Sequence, residues 1–170
     1  MKKLILLVAA LATCTHVHAA PSRSKAVELL YNQGFRDCAA VLDRAVKSAH
    51  ENDASYSFLD YWSKPAPNTS IASTLTVEQF SEGRAVQSFS VVRNTSGSCD
   101  VIESMVLPIL DQTCEALGSD SFKDWKRHED LGAMDIYQDP RATSSTMSMT
   151  ALGLNGCLLI KHAVWYEAEP

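Results

Sequence analysis

Downstream of an N-terminal leader the chain carries three histidines, His50, His128 and His162, and a scatter of carboxylates. A histidine titrating near neutrality takes a proton from a nucleophile when a third group holds its ring. His128 or His162 with a nearby carboxylate would form such a base, and a small secreted hydrolase is one expectation. Asp60, Glu103, Asp135 and Asp139 show no spacing that pairs them for glycoside chemistry. There is no Gly-x-Ser-x-Gly elbow, His-Glu-x-x-His, Walker loop or Gly-x-Gly-x-x-Gly, so neither a cofactor nor a metal is expected. His162 falls in a run that reads as a strand, where a packed or hydrogen-bonded histidine is ordinary. His50 closes a helix, where a cation suits the dipole.

The densest polar and aromatic stretch is Lys123-Asp124-Trp125-Lys126-Arg127-His128-Glu129-Asp130. Read as a binding surface, Trp125 anchors a partner while Lys126 and Arg127 contact anionic groups. Read as architecture, Trp125 and Phe122 are core and the charges are their wet neighbours. The missing nucleophile signature favours binding over catalysis. The expectation is a non-enzymatic binding, inhibitor or immunity-type module of the bacterial envelope or medium. Its partner would be another protein or an envelope component, met through a sheet face or edge. With 15 Lys+Arg against 20 Asp+Glu in 170 residues, the formal charge of −5 asks for no nucleic acid.

Residues 1–19 read as a signal peptide. Lys2 and Lys3 precede the apolar run Leu4 to Ala12, and Val17 and Ala19 form a small-residue cleavage site before Ala20. Nine apolar residues make about 14 Å of helix, far short of a ~30 Å bilayer core, so no transmembrane segment is expected. The mature protein is expected in the periplasm or medium. The alternative is a lipoprotein anchored through Cys14, although Thr13 stands where a lipobox carries a smaller residue. Loss of Lys2 and Lys3 takes the formal charge from −5 to −7.

Cleavage leaves Cys38, Cys99, Cys114 and Cys157, an even count that predicts two disulfides in an exported chain. The elements around them decide the pairing. Val27, Tyr31, Phe35, Cys38, Leu42, Ala45 and Ala49 recur at steps of four and three, one helical face loosened at Gly34. The firmer helix runs from Asp37 to about His50. Ile71–Phe80 and Ala85–Val92 read as a hairpin, and Thr143–Leu152 with Cys157–Tyr166 as a second, turning at Gly153-Leu154-Asn155-Gly156. Leu110–Leu117 reads as a short helix, while Phe122–Lys126 and Ala133–Tyr137 read as short strands.

Residues 100–107 have helical spacing, but Pro108 cuts them short. An echo tips them towards a strand: Val91–Leu107 and Met149–Trp165 share a Ser/Thr/Val/Met strand, a Gly turn, a Cys and an apolar segment. An extended segment of about 26 Å separates Cys99 from Cys114, which favours 38–99 with 114–157. The fold class predicted is a single α+β domain over residues 20–170. An N-terminal helix packs on an antiparallel sheet of about six strands.

Overall fold

The computed structural model describes residues 23–49, 56–79, 83–128, 131–142 and 144–168. The leader with Cys14, the helix-closing His50 and the Ser81-Glu82 turn lie outside the described residues. Two helices come first. α1 (Lys25–Asn32) buries Ala26, Val27 and Leu30, and α2 (Ala39–Ala49) buries Ala39, Val41, Leu42 and Val46. Each burial set is one face of a 3.6-residue period. Gly34, at φ +99°, reverses the chain between them in a conformation that a side chain would strain.

Strands β1 (Tyr56–Tyr61), β2 (Ala72–Gln79), β3 (Arg84–Arg93) and β4 (Cys99–Ile109) follow. Then come α3 (Cys114–Asp120) and strands β5 (Lys126–Arg127), β6 (Asp135–Gln138), β7 (Ser145–Leu152) and β8 (Gly156–Ala168). Thr113 caps α3, its hydroxyl accepting from the Ala116 N–H at 3.3 Å. All eight strands join one sheet in the order β1-β2-β3-β4-β8-β7-β6-β5, every neighbour antiparallel.

That order is one plan used twice. Helices are followed by a four-strand meander running from edge to centre, and the two meanders meet at β4 and β8. Along this seam Ile102 pairs with Val164 and Val106 with Ile160, so a local two-fold axis passes between Ser104 and His162. Cys99 is the first residue of β4 and Cys157 the second of β8. The Cys38–Cys99 and Cys114–Cys157 disulfides, with Cα separations of 5.9 and 4.9 Å, tie the start of each half's helix to its inner strand. The extended 100–107 segment and both pairings agree with the sequence, and the disulfides indicate an oxidising compartment. Pro108 is tolerated because it lies beyond the last β3–β4 pair, Val86 with Val106, where its missing N–H costs no rung.

The expected N-terminal helix on about six strands is corrected in two respects. Among the described residues there are eight strands and three helices, and α3 lies between β4 and β5. β1 escaped notice because its alternation is inverted: Asp60 faces in while Leu59 and Tyr61 face out. Phe122–Trp125 is turn, leaving only Lys126–Arg127 as a strand too short to carry a period. Among the described residues no helix is long and apolar enough to cross a membrane.

Candidate functional site

All three helices lie on one face of the sheet. Val101, Glu103 and Ile109 of β4 point towards them, as do Leu159 and Ala163 of β8, and all are buried. The opposite face has no described element over it. It presents Leu59, Tyr61, Ile71, Val86, Ile102 and Val106, all exposed, with Ile102 at 45% and Tyr61 at 56%. Leu75, Val77, Val92, Ile160 and Val164 lie half-buried between them.

Phe89, Val91 and Val101 keep the ordinary apolar-in order, but in β1 and β2 and at Gln87 the polarity is reversed from that of an ordinary one-sided sheet. Thr74, Thr76, Glu78 and Gln87 are buried on the helix side, while Leu75, Val77 and Val86 line the open side. Solvation alone would place them the other way round. Hydroxyls fill the gaps, with Ser90 Oγ donating to Ser73 Oγ at 3.0 Å. Moving to the second half, the open face turns polar through Thr146, Ser148 and Gln138, and it ends at Lys126 on β5 and at His128 just beyond it. Among the described residues, the middle of the face bears no ionisable side chain apart from His162; Arg84 and Asp100 stand at strand ends.

His162 occupies the centre of this face. Its Nδ1 lies 3.3 Å from the Ser104 hydroxyl directly across the seam, and no other described side chain bonds its ring. A nucleophile and a base therefore meet, without a described carboxylate to orient the ring. His128 sits at the β5 edge with Nε2 2.8 Å from Gln138 Oε1. The two histidines do not share a site.

The Trp125 trio is also dispersed. Trp125 packs edge-on against Phe122, with centroids 5.1 Å apart, and belongs to the second half's apolar cluster. Arg127 projects to the helix side and pairs with Asp135. Lys126, paired in register with Gln138, faces the open side. On the helix side of the seam, Lys161 Nζ donates to both Glu103 oxygens at 2.8 Å, and Glu103 is buried. This ion pair holds the halves together across the dyad. Among the described residues no three His, Cys, Asp or Glu side chains group as metal ligands.

Sequence reasoning expected a free sheet face but missed Ser104 and the apolar residues that the face carries. The signal was present in the echo that aligns Cys99 with Cys157, since the same shift of 58 residues carries Ser104 onto His162. Comparison with protein-family models, curated proteins and solved structures returns no match for this chain.

Proposed function

We propose that this chain is a non-enzymatic binding module of inhibitor or immunity type, acting in the periplasm or medium after export through its 1–19 leader. It docks one protein partner on the open face of its sheet. The observation that carries this reading is the apolar set Leu59, Leu75, Val77, Val86, Ile102 and Val106 on the open face, opposite the buried Thr74, Thr76, Glu78 and Gln87. Eight strands at ~4.8 Å and ~3.3 Å per residue make a face on the order of 1,000 Å², comparable to the ~800 Å² that one side of a standard interface buries. An interface core is depleted of charge and rimmed by polar groups, as this face is. The partner's contact surface is apolar, with carboxylates where it meets Lys126 and His128.

The test uses oxidised protein, immobilised and exposed to envelope and medium proteins of the producing cells, beside an Ile102→Arg/Val106→Arg variant. One protein held stoichiometrically by the wild type and lost by the variant is the expected result. Equal retention by both, or none by either, overturns the reading. Intact mass tests the export step: the product should begin at Ala20, and a diacylglycerol adduct on Cys14 would replace cleavage with anchoring.

A further inference from the structure

Asp60 lies on β1 with its side chain beneath α1. It is 8% exposed, its partner across the ladder is the fully buried Thr74, and α1 crosses β1 and β2 above them. Among the described residues neither carboxylate oxygen has a hydrogen-bond partner, and neither does the Thr74 hydroxyl or the buried Ser24 hydroxyl at the start of α1. No described cation reaches the carboxylate. On α1, Lys25 and Glu28 are exposed, and Arg23, just before it, stacks on the Tyr31 ring. On α2, Asp43 accepts the Ser24 N–H at 2.6 Å and pairs with Lys47. On β2, Thr76 and Glu78 share the inward face with Thr74.

The second half shows what the same position looks like without the extra helix. The rung Phe89–Thr74–Asp60 corresponds to Met147–Tyr137–Arg127, counted outward from the seam. Arg127 is exposed and paired with Asp135. An ionic residue on this rung is therefore unremarkable where the helical layer has no counterpart of α1. In the first half α1 covers it.

We infer that α1 is a pH-responsive flap, docked while Asp60 is protonated and released from the sheet when the carboxylate ionises. An ionised, unpaired carboxylate gives up its hydration under the helix, and regains it most cheaply when an eight-residue helix lifts. Burial pushes the Asp60 carboxyl up to about 6. The docked state thus holds a proton that the released state gives up. Docking is fully supported below about pH 4 and weakens as pH rises through about 6. Release would bare Ala26, Val27, Leu30 and the inner side of β1 while the Cys38–Cys99 disulfide keeps α2 in place.

Amide hydrogen exchange of the intact oxidised protein tests this, with protection factors corrected for intrinsic rate at pH 4.5 and 7.5. Protection of the α1 amides should fall by roughly ten- to a hundred-fold over that interval, and that of α2 and β4 should change far less. In Asp60→Asn the α1 protection should no longer depend on pH, whatever its absolute level. A fall shared equally by α1, α2 and β4 would place the carboxylate's effect on global unfolding and overturn the flap. An unchanged pH response in Asp60→Asn, or none in the wild type, would overturn it as well.

Discussion

Among the described residues, the first half lays two helices over β1–β4 and gathers fourteen buried residues around Phe35, Leu42 and Phe89. The second lays one seven-residue helix over β5–β8 and gathers seven, around Phe122, Met149 and Leu159. Their strand plan, disulfide placement and seam are alike, so core size is the main variable between them. Hydrophobic burial of this kind contributes about 25 cal/mol per Å², and the second half has less of it. It therefore depends more on covalent and ionic ties. The same contrast runs across the open face, apolar over β1–β4 and hydroxyl-rich to cationic over β5–β7.

The largest expected effect breaks this comparison at its weaker side. Replacing Cys114 and Cys157 together by alanine opens a loop of 43 residues and should cost about 3–4 kcal/mol. Amide protection in α3 and β5–β7 should collapse before that in α2. Simultaneous loss throughout would show that the seam makes both halves one cooperative unit. Next, Lys161→Met leaves the buried Glu103 without its partner and should destabilise by roughly 3 kcal/mol in urea unfolding. Adding Glu103→Gln should recover about half; no recovery would remove the ion pair from the account of the seam. Gly118→Ala is smaller. A Cβ there would meet Tyr137 Oη at 2.9 Å, so about 1 kcal/mol should be lost although alanine is the better helix former. Smallest is Ile102→Arg on the open face, where stability should stay within about 0.5 kcal/mol.

The parts legible in the sequence were those with a strong period or a covalent constraint. The β7–β8 hairpin declared itself by alternation around Gly153 and Gly156, and an extended 100–107 segment was enough to separate Cys99 from Cys114. β1 and the apolar residues of the open face were not legible because both violate the rule by which strands are read. Asp60 and Thr74 are inside, and Leu59 and Leu75 face out. Periodicity reports which residues alternate; it does not report which set is covered. Trp125 could be read as anchor or as core, and only its edge-on contact with Phe122 shows where the ring lies.

The central claim, docking on the open face, is tested most directly by equilibrium affinity for the retained partner. Three proteins are compared: wild type, Ile102→Arg on the open face and Leu29→Arg on the exposed outer side of α1. Ile102→Arg should weaken binding by about 30-fold or more, equivalent to about 2 kcal/mol, and Leu29→Arg should leave it within about two-fold. Loss of affinity in Leu29→Arg with Ile102→Arg unaffected would contradict the account and move the docking surface to the helical side.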